Sequence, residues 1–371
     1  MAYLRIFALV LLTAFGTAST TVAETLNSSE GALRVERVMA GLDAPWGLAF
    51  LPGSGFLVTE RDGQLTHVLD GQATRVRGVP EVVARGQGGL LDVMVPRDFA
   101  QTRQVYLSYS APRRDGAGTA LGVARLSEDG SQLEGFREIF TMAGGASGGR
   151  HFGSRIVEAS DGTLFLTIGD RGDAEQAQNL ATHHGTVVRI NRDGTVPGDN
   201  PFTDLAGAQP EIWSYGHRNA QGAAVDAQGR LWVVEHGARG GDEVNPVRRG
   251  ANYGWPVISY GRHYSGAKIG EGTVKQGMEQ PAHYWDPSIA PSGMMIYSGK
   301  LWPAWRGDVF VGSLKFDYIS RLSGNPLREV EQIEGPETAR VRDIREAPDG
   351  TIWFISVGEG AIYRLSPAPS G

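Results

Sequence analysis

Short apolar segments bounded by turn residues recur along this chain. Each copy starts at a turn containing glycine or aspartate and continues as a run of β-branched, aromatic or large aliphatic residues. The copies lie at 53–58, 161–166, 228–233, 306–311 and 349–354, with a less regular one at 105–107. Their spacing of roughly 45 to 80 residues fits four-stranded blades better than a helical solenoid, whose repeats run about 30 to 45 residues.

Six copies predict a six-bladed β-propeller, an all-β fold, with a β-sandwich or jelly roll as the alternative. No long segment has the 3.6-residue apolar period of an amphipathic helix. In a propeller, loops from successive blades meet at one end of the central channel, so residues far apart in sequence can form one site.

The N-terminal segment has the pattern of an export signal. It carries Arg5, then the apolar run at 6–12, then small residues ending at Ala23. We therefore expect a signal peptide at 1–23, one catalytic propeller domain at 24–371, and a secreted or periplasmic mature protein. The apolar run is shorter than the roughly 20 residues that cross a bilayer, so no membrane insertion is expected.

Composition narrows the classes of function. The 371 residues carry a formal charge of −6 without a basic cluster, which disfavours nucleic acid and anionic membranes as partners. The absence of cysteine excludes disulfides, thiolate metal sites and cysteine nucleophiles. An exported protein is not supplied with soluble nicotinamide cofactors, so any redox chemistry requires a tightly held one.

A histidine and an aspartate form the first candidate cluster. His151 lies in Arg150-His151-Phe152-Gly153, and Asp170 follows the next predicted strand. A carboxylate that accepts the distal N–H of an imidazole fixes its tautomer and raises its basicity, which makes His151 a candidate general base. The alternative is a surface histidine beside an unrelated turn aspartate.

Two loops suggest ligand and cation binding. The segment 215–222 presents Arg218 beside Asn219, a pairing that suits an anionic or carbonyl-bearing ligand, although asparagine and glycine also simply form turns. The segment 235–243, followed by 252–256, combines acids, glycines and backbone carbonyls, which are ligands that Ca²⁺ prefers. It lacks the order of an EF-hand loop, and an ordinary glycine-rich blade loop remains the alternative.

The fourth cluster is basic. It contains Lys315 and the alternating pair Arg340 and Arg342. Residues two apart on a strand point to the same face, so the two arginines should project together. Three converging cations indicate a ligand with several carboxylates or phosphates, whereas each cation alone is more often solvated.

Together these clusters resemble the soluble quinoprotein aldose (glucose) dehydrogenases, calcium-dependent six-bladed propellers that use pyrroloquinoline quinone (PQQ). The resemblance runs through nearly the whole mature chain, from Pro45-Trp46-Gly47-Leu48 through 87–92 to Arg342-Asp343-Ile344. It implies PQQ- and Ca²⁺-dependent oxidation of an aldose at C1 to the lactone, with electrons passed to an external acceptor.

The resemblance also implies roles for individual residues. The catalytic set is His151 as base, Asp170 as its orienting carboxylate, and Gln87 and Arg218 near the reacting carbon and the quinone. Gln87 and Arg218 also belong to the cofactor set, which adds Asn219, Ser288, and a cationic clamp of Lys315, Arg340 and Arg342. The carbonyls of Gly237 and Ala238 would bind the active-site Ca²⁺, and Glu243 and Tyr253 a second, structural Ca²⁺.

Two positions depart from the family pattern. Ala238 stands where many relatives have proline, and since the implied ligand is a carbonyl oxygen, the site should survive with a less rigid loop. Arg150 precedes the base where glucose-oxidising relatives tend to carry an acid, so the preferred sugar is left open. A non-enzymatic, Ca²⁺-stabilised propeller that binds a sugar or protein, and a Ca²⁺-dependent lactonase, are the alternative functions.

Overall fold

Antiparallel strands make up most of the computed structural model, which describes residues 24–53 and 55–369. The expected signal peptide at 1–23 lies outside the described residues. The strands of the described residues, in chain order, are β1 (Thr25–Leu26), β2 (Leu33–Met39), β3 (Pro45–Phe50), β4 (Phe56–Glu60), β5 (Gln64–Leu69), β6 (Gln72–Arg75), β7 (Leu90–Met94), β8 (Gln104–Arg113), β9 (Gly116–Leu126), β10 (Leu133–Thr141), β11 (Ile156–Glu158), β12 (Leu164–Ile168), β13 (Thr186–Ile190), β14 (Ile212–Tyr215), β15 (Ala220–Val225), β16 (Leu231–Glu235), β17 (Asp242–Val247), β18 (His283–Trp285), β19 (Pro291–Ile296), β20 (Val309–Ser313), β21 (Tyr318–Ser323), β22 (Arg328–Glu334), β23 (Val341–Glu346), β24 (Ile352–Ser356) and β25 (Ala361–Pro367).

Helical structure in the described part of the chain is confined to short segments between strands. They are the α-helix α1 (Phe99–Thr102) and the 3₁₀ turns Ala174–Gln178, Pro303–Trp305 and Pro336–Thr338. None of the helices in the described ranges is long and apolar enough to span a membrane.

Six sheets form the blades of a propeller, which confirms the predicted six-bladed fold. Five sheets are four-stranded meanders made of β3–β6, β7–β10, β11–β14, β15–β18 and β19–β22. The sixth has the order β1-β2-β25-β24-β23, so the N-terminal strands complete the blade that the C-terminal strands begin. This pairing closes the ring because it joins the two ends of the chain in one sheet.

The first strand of every blade faces the centre. The inner strands β3, β7, β11, β15, β19 and β23 each contact the inner strand of the following blade, and β23 contacts β3. The second strand of each blade is sandwiched between neighbouring blades, and all five residues of β4, β12 and β20 are buried. These second strands carry the repeated apolar segments of the sequence, because burial on both faces removes the polar alternation.

A buried ion network links the inner strands across the axis. The Arg155 guanidinium lies 2.8 Å from Asp92 and 3.2 Å from Asp343. Arg345 lies 3.1 Å from the same Asp92 carboxylate. Buried charges are tolerated only when they are paired in this way, so the network fixes the blades that support the site above it.

Candidate active site

A cavity of about 1430 Å³ opens at one end of the propeller. All six blades contribute to it through residues just before, or at the start of, their inner strands. Among these lining residues are Trp46, Gln87, Gly153, Asn219, Ser288 and Arg340. The convergence predicted from the propeller fold therefore brings residues of four sequence clusters to one region, although His151 and Arg342 are 191 residues apart in the chain.

The His151–Asp170 pair lies beside the cavity, which is lined by the next two residues after the histidine, Phe152 and Gly153. Nδ1 of His151 is 2.6 Å from Oδ1 of Asp170. Asp170 is held by two more donors, the backbone N–H of Gly172 at 2.7 Å and the indole N–H of Trp255 at 2.8 Å. Because Nδ1 faces the carboxylate, Nε2 is left as the proton acceptor.

The imidazole is buried but reachable. Its side chain is 12% exposed, and the neighbouring residues Phe152 and Gly153 line the cavity. Its backbone has a φ of 54°, and its N–H donates to Oε1 of Gln87 at 2.7 Å. This hydrogen bond joins the loop that carries His151 to Gln87, which lines the cavity.

Burial changes the expected basicity of His151. It lowers the pKa of His151 below the ordinary value, and the charges of Arg218 and Arg150 act in the same direction. The hydrogen bond to Asp170 acts to raise the pKa but does not overcome these effects. The carboxylate therefore acts in the expected direction, but burial, which the sequence does not reveal, outweighs it.

The pKa of Asp170 lies below its ordinary value. Burial acts to raise it, but the hydrogen bond and charge of His151, the N–H of Gly172 and the charge of Arg218 outweigh burial. The carboxylate is therefore ionised at neutral pH and can stabilise a protonated imidazole.

Arg218 does not line this large cavity but a small neighbouring one, together with Gly237 and Trp255. Its backbone N–H donates to Glu235 at 2.7 Å, and its guanidinium lies 5.3 Å from the ring centre of Trp255. The guanidinium also donates to the carbonyl of His236 at 3.5 Å. The positive charge of Arg218 acts to lower the pKa of both His151 and His236. Arg218 is therefore placed to polarise a carbonyl ligand beside the base.

Two amide side chains, those of Asn219 and Gln221, form part of the cavity lining. Oδ1 of Asn219 accepts from the Gly153 N–H at 3.2 Å and from the Gln221 amide at 3.1 Å. Asn219 and Gln221 both line the cavity. These contacts use the oxygen of Asn219, which leaves its N–H donors available to a ligand.

The predicted cationic clamp converges on the same cavity. Lys315, Arg340 and Arg342 all line it, although Arg340 precedes β23 in a left-handed conformation with a φ of 53°. Lys315 donates to the carbonyl of Ser288 at 3.2 Å, and Arg340 to that of Leu314 at 2.9 Å. In the described chain, neither cation forms an ion pair.

Arg342 is the most buried member of this clamp. Its guanidinium donates to Oε1 of Gln221 at 3.0 Å and lies 5.8 Å from the ring centre of Trp46. Burial, and then the positive charges of Arg155 and Arg61, lower the pKa of Arg342 to about 9. A cation surrounded by like charges fits a site for an anionic ligand.

The segment predicted to bind the active-site cation joins β16 to β17. The Gly237 N–H donates to Asp242 at 2.8 Å, and Ala238 lines the cavity. A side chain at Gly237 would collide with the carbonyls of Gly240 and Gly241, so the tight loop requires glycine. Ala238 fits this loop, as expected for a residue that contributes only a carbonyl.

Glu243 and Tyr253 line a second, small cavity behind the first. Its volume of about 10 Å³ is roughly that of one water-sized sphere. Burial, and then the charge of Glu235, raise the pKa of Glu243 to about 8. The Tyr253 hydroxyl donates to Pro246 at 2.6 Å and accepts from the Arg248 N–H at 2.9 Å. Any cation contact of Tyr253 would therefore use its backbone oxygen.

Several site residues received no role from the sequence. Trp46, Gln221 and His236 line the large cavity and Trp255 lines the small one, but a single sequence does not reveal which side chains of the stretches singled out face a cavity. Burial, and then the charges of Arg218 and Arg342, lower the pKa of His236 to about 3, so its ring is neutral. The described residues hold no cluster of three or more His, Asp or Glu side chains able to bind a metal.

The fold and the site define a propeller with a histidine–aspartate pair at a central cationic cavity. A model of the glucose/sorbosone dehydrogenase family matches residues 42–364. The chain therefore belongs to this family, as the sequence resemblance predicted.

Three matches to aldose sugar dehydrogenases extend over nearly the whole chain. Aldose sugar dehydrogenase YliI of Escherichia coli is 42% identical over 356 residues, which cover 93% of this chain and 96% of that protein. The apo-form structure of the soluble aldose sugar dehydrogenase from E. coli matches with a TM-score of 0.88 and 42% identity over 91% of this chain and 100% of that chain. The PQQ-bound aldose sugar dehydrogenase of Streptomyces coelicolor matches with a TM-score of 0.74 and 27% identity over 90% and 97%.

Proposed function

We propose that this protein oxidises aldose sugars at C1 to the lactone, depends on PQQ and Ca²⁺, and passes the electrons to an external acceptor. The observation that carries the proposal is the His151–Asp170 pair beside a cavity whose lining cations have no ion-pair partner among the described residues. The names of its relatives support a sugar substrate, and one relative is described as PQQ-bound.

His151 is the proposed base. Its Nε2 takes the proton of the anomeric hydroxyl, and the C1 hydrogen leaves with two electrons as hydride while the C1–O double bond of the lactone forms. Asp170 holds the ring in the tautomer with a free Nε2 and stabilises its protonated form. The lowered pKa of His151 keeps the base unprotonated at neutral pH.

The clamp residues fit the charge of the cofactor. PQQ carries carboxylates and would supply the ortho-quinone that accepts the hydride. Lys315, Arg340 and Arg342 would hold the carboxylates, because their charges are unneutralised in the protein alone. Asn219 and Ser288 would contact the cofactor, and Gln87 and Arg218 would lie near the reacting carbon and the quinone.

Two cation sites belong to the proposal. The carbonyls of Gly237 and Ala238 would bind Ca²⁺ at the cavity, where glycine is required by the close approach of the loop. Glu243, with a backbone oxygen of Tyr253, would bind a structural Ca²⁺. The raised pKa of Glu243 supports this role, since a cation would relieve the cost of its buried charge.

The domain assignment and location remain part of the proposal. We infer that 1–23 direct export and are removed, and that 24–371 form the catalytic domain of a secreted or periplasmic protein.

Reconstitution tests the proposed function. Purified protein is stripped with a chelator, then given PQQ, Ca²⁺, both or neither, and dye reduction is followed with a panel of aldoses. We expect rapid reduction only when both are present. Robust aldose oxidation after exhaustive chelation and without PQQ would refute the cofactor assignment.

A further inference from the structure

A hairpin stands at the mouth of the cavity, in the long connection between β17 and β18. We call residues 262–268 the mouth hairpin. The His263 N–H donates to the Ala267 carbonyl at 2.9 Å, which closes its turn. Arg239 and Arg262 each donate their N–H to the carbonyl of the other, at 2.9 and 3.1 Å, which ties the hairpin to the Gly237–Gly241 loop.

The pairing aligns three cations. Arg262 is directly opposite Arg239 on one side and Lys268 on the other, in antiparallel bridges. Directly paired residues in antiparallel strands project to the same face, so the three side chains form one row. Arg239 and Arg262 line the cavity, so the row faces the cavity.

Like charges in register disfavour folding unless something compensates them. In the described part of the chain, the guanidinium groups of Arg239 and Arg262 have no hydrogen-bond or ion-pair partner. The acidic residues of the lining are Asp286 and Asp317, and neither forms an ion pair with this row. A cationic row is therefore maintained at the cavity of a protein whose formal net charge is −6.

An aromatic ring accompanies the row. Tyr264 lies two residues after Arg262, is 75% exposed, and lines the same cavity. An exposed aromatic face beside guanidinium groups suits a flat, hydroxylated ring that bears an anionic group. The cavity of about 1430 Å³ exceeds the roughly 300–1,000 Å³ of pockets that hold one drug-sized ligand, so one such ligand does not fill it.

We propose that Arg239, Arg262 and Tyr264 form a subsite for an anionic sugar residue, carboxylated or phosphorylated. This residue is linked to the reducing-end sugar, which is the one that is oxidised. The inference rests on the proposed function, because it names the class of aldose that the cavity selects. Arg239 and Arg262 contact the anionic group, and the Tyr264 ring packs against the sugar.

Calorimetry with substrates that cannot react tests this subsite. The methyl glycoside of an aldobiouronic acid, that of the matching neutral disaccharide, and that of the same disaccharide with a terminal 6-phosphate are titrated into the full chain loaded with PQQ and Ca²⁺. We expect at least one anionic ligand to bind roughly 10-fold more tightly than the neutral one at low salt, and its identity to distinguish carboxylate from phosphate. Equal affinities for all three would overturn the proposal.

Variants localise the preference. Arg262→Gln and Arg239→Gln should each remove most of the preference for the anionic ligand, without changing the affinity for the neutral disaccharide. Arg34→Gln, which removes an exposed arginine from β2, should leave it intact. A preference that survives in the double variant Arg239→Gln/Arg262→Gln would contradict the assignment.

This result does not depend on turnover. Methyl glycosides lack a free anomeric hydroxyl, so they measure binding without oxidation. If the protein prefers the anionic ligand but oxidises no aldose, the subsite is supported and the proposed function is refuted. Oxidation of neutral aldoses without any anion preference would refute the subsite alone.

Discussion

Substitution of Arg342 separates an effect on PQQ binding from an effect on folding stability more clearly than the other changes do. In the protein without ligand, its side chain is half-buried at the cavity, lies near the charges of Arg155 and Arg61, and has Gln221 as its hydrogen-bond partner. We predict that Arg342→Met weakens PQQ binding without destabilising the apoprotein. A structural arginine would show the opposite, because its loss would leave buried partners unpaired.

The expected magnitudes follow from these contacts. A charge-assisted hydrogen bond to a PQQ carboxylate contributes about 1.5–3 kcal/mol, which corresponds to roughly 10- to 150-fold in Kd. The variant apoprotein loses one hydrogen bond to Gln221, worth about 0.5–1.5 kcal/mol, but it also loses a half-buried cation that is repelled by its neighbours. The free energy of unfolding should therefore stay within about 1 kcal/mol of wild type, or rise.

Two measurements check this prediction. Titration with PQQ in the presence of Ca²⁺ gives the change in Kd, and denaturant unfolding of the apoprotein gives the change in stability. Arg34→Met is the matched control, because it removes an exposed arginine from β2 and should alter neither quantity. An unchanged PQQ titration curve for Arg342→Met, or a loss of several kcal/mol in the apoprotein, would refute the reasoning.

Three further predictions concern the base and the cation. His151→Ala should leave PQQ and Ca²⁺ binding nearly intact but slow single-turnover reduction of the cofactor by roughly 100-fold or more, and Asp170→Asn should slow it less; a wild-type rate in His151→Ala would disprove the assignment. Because burial and nearby arginines lower the pKa of His151, the acid limb of kcat/KM should lie below pH 6.5, and Arg150→Gln should move it to higher pH; a limb that does not move would count against the charge effect. Burial and the charge of Glu235 raise the pKa of Glu243 to about 8, above its ordinary value of 4.5, so chelated protein should lose stability as pH rises from about 4.5 through 8. Added Ca²⁺ should restore the melting temperature at pH 8, and Glu243→Gln should remove both effects; equal Ca²⁺ responses in the two proteins would exclude Glu243 as a ligand.

The blade count was predictable because its signal is local. The second strand of each blade is buried on both faces and follows a tight turn, so β4, β12 and β20 read as continuous apolar runs after glycine. The pairing of β2 with β25 was not predictable in this way, since it joins residues at opposite ends of the chain and β2 is largely exposed along one edge.

The sequence predicted which loops form the candidate site but not the side-chain contacts within it. The sequence singled out the segments containing Gln221 and Trp255, yet their contacts with Arg342 and Asp170 depend on how the blades pack. The net lowering of the pKa of His151 was not predictable for the same reason, because the sequence reveals the carboxylate, which raises the pKa, but not the burial, which lowers it. The pairing of Arg239 with Arg262 also arises only from the folded loop.

The central claim is that His151 and the cationic cavity serve oxidation at C1 by a bound quinone. The most direct measurement mixes protein loaded with PQQ and Ca²⁺ anaerobically with an excess of aldose, without an acceptor, and quantifies the lactone. We predict about one lactone per bound PQQ, and far less within the same time in His151→Ala. No lactone, or the same amount from protein without PQQ, would contradict the claim.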